Sequence, residues 1–139
     1  MPAFSEVSAQ RLATCHPDLI RLFSEIIKSA DCSVLCGHRG KDDQERAFLM
    51  GNSKLRWPAS RHNSEPSRAI DVMPYPVDWQ YTPALYYFAG YVMRTADELG
   101  IGLRWGGSWT SGPNRHKIVN VLFKDLPHYE LCDDEGGDK

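Results

Sequence analysis

Two histidines and three acids sit in two short stretches. The first is Ser60-Arg61-His62 followed by Ala69-Ile70-Asp71, and the second is Asp125-Leu126-Pro127-His128-Tyr129-Glu130. His62, Asp71 and His128 are ligand types that zinc takes, and three protein ligands leave one position open for water. Asp125 lies three residues before His128, near the site but outside that set. An open zinc centre with a base beside it can activate water and polarise a carbonyl, as peptide hydrolysis requires. The oxyanion so formed needs a positive partner, and Arg39 is the candidate. Each residue also has a plainer role. His62 could be a solvated loop histidine and Asp71 a turn or ion-pair residue. His128 could be a half-buried strand histidine, Asp125 a cap before Pro127, and Arg39 a surface arginine.

The elements that must position these residues are short. Ala69 to Met73 and His128 to Leu131 read as strands, in which successive side chains face opposite ways. Asp71 then points away from Ile70 and Val72, and His128 and Glu130 share a face opposite Tyr129 and Leu131. If the two strands are neighbours, Asp71 and His128 meet, and His62 arrives from the end of a long polar loop over 51–67. Further strands are expected at Ser33 to His38 and Leu103 to Trp105. Ser5 caps a helix to Leu12, His16-Pro17 opens a second, and Asp42-Asp43 start a third. Thr82-Pro83 predicts a long fourth helix with threonine as cap, an apolar stripe from Leu85 to Leu99, and a stop at Gly100. This mixture without regular strand–helix alternation predicts an α+β domain, a small mainly antiparallel sheet with helices packed against it. One domain is expected over 1–131, with 132–139 an acidic flexible tail.

At 139 residues the chain can bury a core without disulfide or metal staples. A formal net charge of -2 gives no general attraction to nucleic acid. No apolar run is long enough to span a bilayer, so no stable membrane insertion is expected. The N-terminus lacks the basic start and apolar stretch of a signal peptide, which predicts synthesis in a cytoplasm. Cys15, Cys32, Cys36 and Cys132 read as free thiols there. Cys32, Cys36 and His38 are spaced too widely for a zinc-finger pair, so Cys36 is read as a small buried hydrophobe sharing a face with Val34. Trp57, Trp79, Trp105, Trp109, Tyr75, Tyr81, Tyr86 and Tyr87 are read mainly as core or site wall, the other reading being a sugar-binding surface. Lys54, Arg56, Arg61 and Arg68 around the long loop serve either solubility or attraction of an acidic substrate.

Ser60-x-His62, Ala69-x-Asp71, Gly106-Gly107-x-Trp109 and Asp125-x-x-His128-x-Glu130 together resemble the zinc peptidases of bacterial cell walls. These are the VanY-like D-alanyl-D-alanine carboxypeptidases and the L-alanyl-D-glutamate peptidases that phages use as endolysins. The resemblance runs from about Cys36 to Leu131 and is strongest to the endolysins. It implies a fold like the D-Ala-D-Ala peptidases and Hedgehog proteins, and one zinc ion held by His62, Asp71 and His128. It further implies Asp125 as general base, Arg39 as the residue steadying substrate and transition state, and Ser60 and Trp109 as residues shaping the site and touching substrate. The implied substrate is peptidoglycan, cut by a monomer after release to the periplasm with a holin's help, causing bacterial lysis. A D-alanyl-D-alanine carboxypeptidase and a non-catalytic zinc-containing module are the alternatives. The chain departs from the familiar pattern in one place: the step from His62 to Asp71 is nine positions rather than seven, without the usual glycine.

Overall fold

The computed structural model describes residues 2–132, so the expected acidic tail at 132–139 lies almost wholly outside the described residues. The α+β expectation is borne out. Strands β1 (Cys32–Cys36), β2 (Ala69–Pro74), β3 (Leu103–Trp105) and β4 (His128–Leu131) form one sheet in the order β1-β2-β4-β3. Every neighbouring pair is antiparallel. The helices are α1 (Glu6–Leu12), α2 (Pro17–Ile26), α3 (Lys41–Leu49) and α4 (Thr82–Glu98).

Local signals account for three of the helix ends. The Ser5 hydroxyl accepts from the Ser8 amide, and His16 accepts from the Asp18 amide ahead of Pro17. Each pairs a donor that a helix start leaves free. Gly100 ends α4 at φ 71, a left-handed conformation that suits glycine. The start of α4 differs from expectation. Thr82 is already helical, and Tyr81 occupies the cap position without a side-chain bond. The Asp78 carboxylate instead shapes the turn that leads into the helix, accepting from the amides of Gln80 and Tyr81.

One face of the sheet makes the core. Val34, Ile70, Val72, Leu103, Tyr129 and Leu131 pack there against Leu19, Leu22 and Phe23 of α2 and Phe88 and Val92 of α4. The other face carries Asp71, His128 and Glu130, so the core holds the strands while the opposite face is left for chemistry. β1 breaks the expected alternation. Val34 pairs with Val72 and Cys36 pairs with Asp71, so two steps on β1 match one on β2. Such a bulge re-aims the residues beyond it. Cys36 therefore does not share a buried face with Val34: it lines the cleft beside Asp71.

Tyr129 is fully buried, edge-on to Phe23 and Phe88, and its hydroxyl has no partner. An unpaired buried hydroxyl costs about 1–3 kcal/mol. Tyr129→Phe is therefore expected to raise the unfolding free energy in urea by about 1 kcal/mol. A lower midpoint in the variant would mean that the hydroxyl has a partner.

Candidate active site

Asp71 and His128 are directly opposite each other across the β2–β4 ladder. His62 comes from a single 3₁₀ turn, Arg61–Asn63, at the end of the long loop. Asp71 Oδ1 lies 3.3 Å from His62 Nε2 and 3.2 Å from His128 Nδ1. The two ring nitrogens are 3.3 Å apart. These three atoms form a nearly equilateral triangle. In a tetrahedral zinc site with bonds of about 2.0–2.1 Å, ligand atoms stand about 3.3–3.4 Å apart. The donor set and its spacing therefore fit such an ion.

The outer nitrogens of both rings are committed elsewhere. His62 Nδ1 donates to the Gly37 carbonyl at 2.8 Å, and His128 Nε2 donates to Glu130 at 2.8 Å. Those bonds turn the free nitrogens inward, as acceptors behind metal-binding imidazoles do. The Gly37 carbonyl is held close to α1, because a Cβ at Gly37 would lie 2.4 Å from the Arg11 carbonyl oxygen. Glu130 is itself paired with Arg104 at 2.6 Å and Arg61 at 3.2 Å. Burial favours its neutral form, but His128 and Arg104 outweigh that and hold its carboxyl at about 2.

Without an ion, inward-facing imidazoles take up protons. Burial opposes this, yet Asp71 prevails and raises His62 to about 10 and His128 to about 9. Asp71 is pulled well below the carboxylate range, burial being overcome by His62 and His128. The sign of the pH dependence follows. Histidines raised from about 6.5 in the unfolded chain stabilise the folded state below that pH and lose the contribution as pH rises through their folded values. Metal-stripped protein is expected to lose thermal stability steadily from about pH 6.5 to 9. A melting temperature that climbs over this range would contradict the assignment.

Asp125 reaches the site from the loop before β4, with Oδ2 3.7 Å from His128 Nδ1. Gly106 makes that approach possible. Its amide donates to the His128 carbonyl, its carbonyl accepts from the Asp125 amide, and a Cβ there would lie 2.4 Å from the Asp125 carbonyl oxygen. Burial and the charge of Asp71 raise Asp125 to about 6, close to the value a base needs near neutral pH. Trp109 stands 5.2 Å from the His128 ring and is stacked on Phe123. It does so at φ 60, rare for a bulky residue. Two bonds hold it there: its amide to the Trp105 carbonyl and its indole N–H to the Phe123 carbonyl.

Arg39 also reaches the site, with Nη2 3.6 Å from Asp71 Oδ2, the oxygen turned away from the triangle's closest contacts. Its Nη1 donates to Gln44 Oε1. Gln44 is fully buried and joins Arg39, Asn63, Ser53 and the Leu55 carbonyl. Ser60 lines the cleft, but its hydroxyl caps the 3₁₀ turn by accepting from the His62 amide. Asn63 returns the bond to the Ser60 amide. The nine-position step closes because the Arg68 amide donates to the Arg61 carbonyl, throwing Glu65 out into solvent. Sequence reasoning missed Gln44, Cys36 and the pairing of Glu130 with two arginines. Gln44 carried only one signal, a polar residue facing inward on a weakly amphipathic helix.

These groups open into a cleft of about 870 Å³. Of the aromatic residues, Trp105 and Tyr86 pack in or against the core, while Trp79 and Trp109 line the cleft. Trp57, Tyr75, Tyr81 and Tyr87 are exposed, contrary to their reading as core or wall. They sit in proline-rich connections or, for Tyr87, on the outer side of α4. Among the loop cations, Arg56 pairs with Glu45, and Arg68 donates to the Cys132 carbonyl. Among the described residues no disulfide joins Cys15, Cys32, Cys36 or Cys132, and Cys32 lies in the core apart from Cys36. Among the described residues, no helix is long and apolar enough to cross a membrane.

Comparison with known proteins gives concordant results. The family model for phage L-alanyl-D-glutamate peptidase matches residues 2–132. The L-alanyl-D-glutamate peptidase of Escherichia phage T5 is 28% identical over 134 residues, covering 92% of this chain and 96% of its own. The crystal structure of the Serratia marcescens L-Ala D-Glu endopeptidase ChiX superposes with a TM-score of 0.71 at 29% identity, covering 93% of this chain and 90% of that one. A family match over nearly the whole chain, on a sheet that gathers His62, Asp71, Asp125 and His128 at one cleft, means that the chain belongs to the phage L-alanyl-D-glutamate peptidase family.

Proposed function

We propose that this chain is a zinc-dependent endopeptidase that cuts the bond between L-alanine and D-glutamate in peptidoglycan stem peptides. The observation that carries the reading is the triangle of His62 Nε2, Asp71 Oδ1 and His128 Nδ1, with edges of 3.2–3.3 Å. Names of the relatives supply the bond. His62, Asp71 and His128 hold the ion, with their outer atoms fixed by Gly37, Arg39 and Glu130. Bound there, zinc supplies a Lewis acid for the scissile carbonyl and lowers the pKa of water.

The chain's own residues do the rest. Asp125 takes the proton of the attacking water at its carboxylate and returns it to the leaving amine of the glutamate. Arg39 keeps unused N–H donors and its charge next to Asp71, where the oxyanion develops. Trp109 walls the cleft beside His128, keeping water off that side. Ser60 serves mainly by fixing the turn that presents His62. Residues 1–131 make up the catalytic unit. The protein acts as a monomeric endolysin, made in the host cytoplasm and passed by a holin to the wall, where digestion lyses the cell.

Purified sacculi digested by the protein should release fragments with new N-terminal glutamyl ends, detected by mass spectrometry. Chelation should stop the release, and added zinc should restore it. Loss of terminal alanine alone would make the protein a carboxypeptidase. No cleavage by zinc-loaded protein would make it a binding module.

A further inference from the structure

Four lysine and arginine side chains line the cleft: Arg39, Lys54, Arg61 and Arg104. The three arginines are matched to carboxylates of the protein itself. Arg39 faces Asp71 at 3.6 Å, and Arg61 and Arg104 share Glu130 at 3.2 and 2.6 Å. Lys54 has no carboxylate partner among the described residues. Its Nζ stands 5.4 Å above the ring of Phe123. Attraction to an aromatic face orients an ammonium without neutralising it. Phe123 is stacked on Trp109 at 16°, and Trp109 leans on His128 at 5.2 Å. One continuous wall therefore runs from the triangle to a cation whose charge is unspent.

The proposed substrate has a matching group. A glutamate joined to neighbours on both sides uses its amine and one carboxyl, so its second carboxyl stays free. That carboxylate belongs to the residue just beyond the scissile bond. Arg39, engaged at Asp71, serves the oxyanion and is not free to hold it as well. We propose that Lys54, poised over Phe123, is a specificity-determining residue that pairs with the free carboxylate of the substrate's glutamate. The proposal rests on the peptidase reading above and assigns a group to each half of the substrate: Arg39 to the carbonyl under attack, Lys54 to the acid of the leaving side.

The test uses two synthetic stem peptides that differ only at the glutamate, one with the free carboxylate and one with a carboxamide there. Zinc-loaded full-length protein should favour the carboxylate peptide in KM by roughly tenfold, the scale of a hydrogen bond to a charged group. Lys54→Gln should abolish that preference by raising KM for the carboxylate peptide, and Lys54→Arg should restore most of it. An equal change on both peptides, or a preference surviving in Lys54→Gln, overturns the proposal. If wild type cleaves neither peptide, the peptidase reading fails. Calorimetric binding of the two peptides then judges Lys54 separately: a carboxylate preference lost in Lys54→Gln supports it, and equal affinities in wild type refute it.

Discussion

Asp125→Asn is expected to bind zinc stoichiometrically while its kcat falls by about 10²–10⁴-fold, the usual contribution of a positioned base. The substitution keeps the shape of the side chain and removes only its capacity to take a proton. KM should change little, because Asp125 is asked to act in the transition state. In wild type, kcat/KM should fall as pH drops through the Asp125 value, about 6 before any ion offsets the charge of Asp71. The variant should lack that acidic limb. Metal analysis is the decisive control. Asp71, Asp125 and His128 are themselves close enough to share an ion. Loss of zinc from the variant would move Asp125 from base to ligand.

His62→Ala should lower bound zinc from one ion to none at micromolar free metal, with release of glutamyl ends falling to background. His62 is 2% exposed and supplies one corner of the triangle. Its loss leaves two protein ligands, fewer than a catalytic zinc site uses. It also removes the ring N–H donated to the Gly37 carbonyl, which keeps the Ser67 hydroxyl as a donor, so about 0.5–1.5 kcal/mol of stability goes with it. Circular dichroism should still report a folded chain, since the core lies on the opposite face of the sheet. Full zinc content in His62→Ala would remove it from the ligand set.

Much of the site was legible because strand alternation is a short-range rule. Asp71 between Ile70 and Val72, and His128 and Glu130 around Tyr129, face as a period of two dictates. The same rule misplaced Cys36, because a bulge depends on how β1 meets β2 and leaves no mark within β1. The cap of α4 was misplaced by a residue, since the turn that leads into the helix is shaped by Asp78. Gln44, Arg61 and Arg104 were opaque for a related reason. Each is a polar residue whose role depends on a partner between 5 and 26 positions away, or farther. The long loop was recognised by its polarity, yet the single turn that presents His62 arises from the Ser60–Asn63 exchange within it.

Asp71 and His128 meet as ladder partners on a sheet whose other side is an apolar core free of ligands. In domains that fold around zinc, the ion supplies the folding free energy itself. Here the apolar core contains none of the three corner residues, and Asp71 sits between His62 and His128 on the opposite face. Metal-stripped protein is therefore expected to unfold cooperatively, with added zinc raising the midpoint rather than creating the fold.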